Sequence, residues 1–270
     1  MAFQIGFTVK DKEQKTDFAV SAKATQIVPR KSVVQIYFET NNATFTYYND
    51  RFDLKVGDFV YVEGEMAEFR GRVLNVNYNF KIKISAYKRV ISVADTAVSG
   101  RFYMAGSHFV TFDRSVLPST KVITWFRSPE KDEDEFAVGN DETAFYLNDL
   151  SGMKVSPIIA ERGEDYYDHN QVRYISVDGS KGYAIVEGGD AYEVEFEYRK
   201  GEISKLVCSC FCSYNCKHEY AAMLQLKETL DLISKHYEEE YEQKGYFAAV
   251  YKPTLFAFAI DNKEMGTFVL

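Results

Sequence analysis

Cysteine is nearly absent from this 270-residue chain: there are four, and all fall between positions 208 and 216. So few thiols in one place build no disulfide framework, and a gathered set of them suits a reducing compartment. Long apolar runs are missing as well. No stretch reaches the ~18 residues that a membrane-spanning helix needs, and the start, Met-Ala-Phe-Gln-Ile, lacks the layout of a secretory leader. These absences predict a soluble, cytoplasmic protein with no membrane contact. Positive charge is not in excess either: 32 Lys and Arg stand against 40 Asp and Glu, a formal net charge of −8. That balance argues against generalised nucleic-acid binding and leaves room only for a local basic face.

Catalytic constellations are lacking too. Gly179-Ser180-Lys181-Gly182 has no glycine-rich phosphate-binding pattern before its lysine, and no serine sits in a nucleophile elbow. His108 follows Ser107, but neighbours on a strand point apart. His169 lies in a polar turn, and His236 near a helix end, where a cation is mildly favoured. The chain is therefore predicted to be non-enzymatic, with no small-molecule substrate.

Aromatic residues, in contrast, are plentiful. There are 20 Tyr and 21 Phe beside a single Trp, and most stand in alternating or β-branched company that suits strands. For any one of them, filling or flanking a sheet outweighs stacking on a base. An N-terminal strand or arm is predicted over 1–26, with a strand at 3–9 and a polar turn at 10–15. Short strands follow at 33–38, 43–48, 59–62, 69–76, 81–84 and 90–93. So many in so short a span predict a small SH3-like or OB-like barrel over 27–95.

Residues 96–190 read as a second β-rich region. It includes strands at 102–104 and 108–112 about a Gly-Ser turn, a segment at 121–126 carrying Trp125, and an acidic loop at 129–135. Short helices at 147–152 and 157–163 precede strands at 172–177 and 182–188. A hairpin plus helix fills 191–244, and closing strands at 247–252, 255–260 and 267–270 fill 245–270. The predicted fold class is α+β, mostly β.

The densest chemistry lies in Cys208-Ser-Cys210-Phe-Cys212-Ser-Tyr-Asn-Cys216-Lys-His218. Residues 192–198 alternate, a Gly-containing turn follows at 199–202, and 203–208 run back, which reads as a β-hairpin. On an extended segment Cys208 and Cys210 face the same way and make a two-sulfur half-site. Beyond Cys216 the apolar residues Ala222, Leu226, Leu230, Ile233 and Tyr237 fall at helical spacing, predicting one helix to about 243 with Gly245 as its stop. Asn215 is the predicted N-cap, Cys216 sits at the helix mouth and His218 in the first turn. Thiolate and imidazole suit zinc, and four such donors close a tetrahedral site. Spacing favours Cys208, Cys210, Cys216 and His218 as ligands. Cys212 is the spare, its rival role being to replace Cys208. Lys205 and Lys217 are placed to soften the negative charge of three thiolates.

Cys-x-Cys, five residues and then Cys-Lys-His, after a hairpin and before an Ala/Leu-rich helix, resembles a SWIM-type zinc finger. The matching piece runs over about 192–232. The resemblance implies a zinc-held module that binds DNA or other proteins. Family members attach it to Snf-type ATPases, Mutator-type transposases and plant transcription regulators. No motor or transposase domain accompanies it here, so those activities do not transfer.

The basic stretch that best suits nucleic acid lies in the barrel region: Arg70, Arg72, Lys81, Lys83, Lys88 and Arg89, with Phe69, Tyr78, Phe80 and Tyr87 interleaved. Lys81 and Lys83 are expected on one strand face, an arrangement suited to tracking phosphates. An ordinary solvated edge strand guarded by lysines is the simpler reading of the same residues. The leading expectation is a recognition protein contacting DNA or a DNA-acting partner. The alternative is a protein–protein adaptor in which zinc is purely structural.

Overall fold

The computed structural model describes residues 2–5, 29–128, 144–210 and 212–260. The expectations for 6–9, 10–15, 129–135 and 267–270 lie outside these residues. Two antiparallel sheets make up a mostly β fold. Strand β1 (Ala2–Ile5) joins the larger one. The smaller contains β2 (Ser32–Phe38), β3 (Ala43–Asn49), β4 (Phe59–Val62), β5 (Gly71–Asn77) and β6 (Val90–Val93), in the order β3-β2-β5-β4-β6. Its core follows from strict alternation: Val34, Ile36 and Phe38 of β2 are fully buried while Gln35 faces solvent. Val60, Val62, Val73 and Val90 meet them from the neighbouring strands.

This sheet is not the closed barrel that its strand density predicts. Its outer members, β3 and β6, do not pair as strands; an isolated bridge joins Tyr48 of β3 to Arg89, just before β6. The missing piece is the strand expected at 81–84. That stretch is irregular and ends in a 3-10 turn over Ile84–Ala86. Lys-Ile-Lys-Ile has the right alternation, but Ile84 is left 45% exposed, so there is no apolar face to press onto a sheet.

The larger sheet adds β7 (Gly100–Ala105), β8 (His108–Thr111), β9 (Phe145–Tyr146), β10 (Val172–Asp178), β11 (Lys181–Glu187), β12 (Ala191–Arg199), β13 (Glu202–Cys208) and β14 (Tyr246–Tyr251). Its order is β1-β7-β8-β14-β10-β11-β12-β13-β9. The helices are α1 (Ser119–Val122), α2 (Pro157–Asp168), α3 (Lys217–His236), α4 (Glu238–Lys244) and α5 (Lys252–Leu255). One face of the sheet, with Ile175, Val177, Val186, Val194 and Phe196, packs under Ala222, Met223, Leu226 and Ile233 of α3. The opposite face, with Tyr174, Ile185, Ala248 and Val250, packs on Leu117, Trp125 and Phe258.

One expected strand, 255–260, is helical, and so is the segment that carries Trp125. Residues 121–126 finish α1 and continue as a 3-10 turn through Trp125. Residues 255–260 complete α5 and a π-helical turn, because Pro253 at the start of α5 suits the first turn of a helix. The payoff is packing: Phe258 stacks on Trp125 at 5.2 Å. The predicted single helix from 216 to 243 is broken at Tyr237, whose φ of −145° leaves the helical range. Tyr237 donates its hydroxyl to the Met104 carbonyl (2.9 Å) and packs its ring on Tyr103. Gly245 ends α4 in the left-handed region, as expected.

Arg70 fastens the sheets together. It donates to the Trp125 carbonyl at 2.6 Å and lies over the Phe59 and Phe258 rings. Among the described residues no helix is long and apolar enough to cross a membrane.

Candidate metal centre

The β12–β13 hairpin delivers the first half of the site. Val194 pairs with Cys208, and Ser209 prolongs the ladder by donating its N–H to the Glu193 carbonyl at 2.9 Å. The chain then turns around the Cys208 sulfur, which accepts the Cys210 N–H at 3.5 Å. The start of α3 delivers the second half. Its N-cap is Cys216, not Asn215. Cys216 and Glu219 form a capping box, in which the Cys216 N–H donates to Glu219 Oε2 at 2.7 Å. Asn215 is drawn away to donate to the Met153 carbonyl at 2.7 Å.

Cys208, Cys210, Cys216 and His218 bring one ligand atom each within 4.8 Å of one another, so the group could hold a metal ion. Cys216 and His218 are buried, and Cys208 and Cys210 half-buried. Cys212 is exposed and is not among the four. The His218 Nδ1 lies 3.7 Å from the sulfurs of both Cys208 and Cys216. Ordinary Zn–S and Zn–N bond lengths in a tetrahedron put nitrogen and sulfur about 3.6 Å apart. The donors present therefore fit zinc in type and in spacing.

Their protonation also calls for a cation. Hydrogen bonding from Cys208, helped by His218 and the Glu219 N–H, lowers the Cys216 thiol to about 4 against its burial. Cys208 is pushed up by giving that hydrogen bond to Cys216 and by burial. Cys210 is pushed up to about 12, first by burial and then by the Cys216 charge. Three thiolates gathered this closely need a positive ion among them. Lys205 and Lys217 do not supply that charge at the sulfurs. Lys205 pairs with Glu197 at 2.7 Å, and Lys217 donates to the Tyr166 hydroxyl at 2.8 Å.

Sequence reasoning missed the aromatic surround of His218. The Tyr192 ring stacks on the imidazole at 4.0 Å, and Tyr166 meets it edgewise at 5.3 Å. A signal existed. Tyr192 shares a strand face with Val194, which pairs with Cys208.

The six basic residues divide. Arg70 is spent between the sheets, and burial lowers its pKa. Arg89 is ion-paired to Asp50 and stacks over Tyr48. Arg72 is half-buried beside Phe59. Lys81, Lys83 and Lys88 are exposed, but Lys81 and Lys83 share no strand face, because no strand forms there.

His108 proves to be fully partnered in the core. Ser107 lies in the turn and not on the strand, so its hydroxyl comes within 3.0 Å of His108 Nδ1, while Nε2 meets the Val172 carbonyl at 2.8 Å. Burial drives the His108 pKa down to about 4.

No family model matches the chain. A stretch of 69 residues is 36% identical to an uncharacterised protein of Methanocaldococcus jannaschii, covering 26% of this chain and 29% of that protein. The chain thus spans less than a third of the length of the relative it matches. No solved structure matches. The SWIM-type resemblance accordingly rests on the motif and its geometry.

Proposed function

We propose that Cys208, Cys210, Cys216 and His218 hold a structural zinc ion in a SWIM-type finger of a non-enzymatic recognition protein, which contacts DNA or a DNA-acting partner. The observation that carries the zinc assignment is the mutual spacing of the four donors, 4.8 Å at most. Four protein donors fill a tetrahedron and leave no place for water or substrate, which favours a structural role over a catalytic one. Bound there, zinc would cross-link the end of β13 to the mouth of α3 and compensate the thiolate charge. Thiols gathered at such a site suit a reducing, cytoplasmic setting.

Of the six basic residues of the 70–89 stretch, Lys81, Lys83 and Lys88 are the exposed ones and the candidates to meet phosphates. The test has two arms. Elemental analysis of the purified chain should find stoichiometric zinc; its absence removes the finger. Anisotropy titrations with duplex and single-stranded DNA should show affinity falling log-linearly with salt, and Lys81→Glu with Lys83→Glu should weaken it. No DNA binding at low salt leaves the adaptor reading. One feature favours that second reading: Tyr214, in the loop between the half-sites, is 88% exposed and offers a protein partner an aromatic anchor.

A further inference from the structure

We infer that His218 ligates through Nδ1 and that Tyr192, backed by Tyr166, is the positioning residue that holds the imidazole there by ring contact. This rests on the metal-site reading above and goes beyond it by naming the atom and the residues that aim it. A metal-bound histidine normally donates its second ring N–H to a carboxylate, a carbonyl or water, and that bond fixes the ring. His218 breaks this pattern. Among the described residues its buried Nε2 has no hydrogen-bond partner, and the residue is only 4% exposed. Something else must set the ring plane.

The aromatic neighbours do so. Tyr192 lies parallel to the imidazole, with 4.0 Å between ring centres and 17° between planes. Tyr166 closes a second side at 5.3 Å and 64°. Tyr166 is itself held from above by Lys217, whose Nζ is 2.8 Å from the hydroxyl and 4.3 Å from the ring centre. Gly188, in the turn between β11 and β12, makes room for both rings. A Cβ at that position would stand 3.0 Å from the Tyr166 hydroxyl oxygen and 3.2 Å from Tyr192 Cε2.

The choice of nitrogen follows from reach. Nδ1 is bonded to Cγ, whereas Nε2 lies one atom farther from the backbone. His218 begins only two residues after Cys216 on the first turn of the same helix. So short a span suits the nearer nitrogen, and Nδ1 is the atom found 3.7 Å from two sulfurs.

The test uses the full chain loaded with zinc. Nitrogen NMR of His218 should show a metal-bound Nδ1 and a protonated Nε2. In competition with a chelating dye, Tyr192→Leu, which keeps apolar bulk but loses the flat ring, should weaken zinc binding about 10–100-fold. Tyr192→Phe should stay within about threefold of the parent, since it keeps the ring. A metal-bound Nε2, or unchanged affinity in Tyr192→Leu, would overturn the inference while leaving the zinc site standing. A parent chain that binds no zinc would overturn both. The NMR arm needs no variant, so a Tyr192→Leu chain that fails to fold leaves it decisive.

Discussion

The four donors are unequal in what their removal should do. Cys216 is N-cap and capping-box partner as well as proposed ligand, so Cys216→Ala should lose the metal and also about 1 kcal/mol of helix capping. His218→Ala should lose the metal and leave the cap. Cys212→Ala should retain full zinc, and elemental analysis of the three variants checks the ranking. His108 carries a separate expectation. Its folded-state pKa of about 4 lies below the ordinary 6.5, so neutral His108 stabilises the fold above pH 6.5. That contribution, roughly 3 kcal/mol, drains away as pH falls towards 4, because the unfolded chain takes the proton first. Urea midpoints across this range should show the slope, and His108→Gln should flatten it. At this scale the gathering of Cys208, Cys210, Cys216 and His218 was legible, because Cys-x-Cys and Cys-x-His spacings translate directly into strand and helix geometry. The fates of Arg70 and Arg89 were not, since a guanidinium reads as solvated until the rings and carbonyl that bury it are placed.

Among elements, α2 presses against the first turn of α3, which carries His218. Gly163 is the point of closest approach: a Cβ there would come 2.7 Å from Tyr220 Cδ1 and 3.1 Å from the Lys217 carbonyl oxygen. Gly163→Ala should force the helices apart and cost about 1–3 kcal/mol by overpacking, against the small gain in helix propensity. The measurement is the urea midpoint with zinc present. If the helices part at this level, Tyr166 retreats from His218 as well. Hairpins were the most legible elements, because alternation and turn residues agree along β2–β3 and β12–β13. The stretches at 81–84 and 255–260 misled because β-branched and aromatic residues also suit other environments. Ile84 lies partly in solvent, and Phe258 packs on Trp125 from a helical turn.

For the whole molecule, Arg70 and the Cys/His cluster act at separate places. Arg70→Met should loosen the small sheet from the large one. It removes a charged hydrogen bond and the ring contacts, at about 2–4 kcal/mol by calorimetry. Chelating the metal should act elsewhere. Hydrogen exchange is expected to rise in 208–220 while β2, β5 and β10 stay protected. The sheet assignment that sequence could least supply concerns β14. Nothing local says that residues 246–251 slip between β8 and β10.

That placement predicts an order of folding as the chain is made. Strands β10 to β13 are neighbours in sequence and can zip together as they emerge, with the thiols and imidazole of 208–218 close behind them. Strands β7 and β8, made much earlier, gain no strand partner in that nucleus until 246–251 arrive to bridge it. A nascent chain halted just before Tyr246 would therefore carry the four gathered donors beside a hairpin whose β8 edge is unpaired. Such an exposed edge is a natural handle for a chaperone.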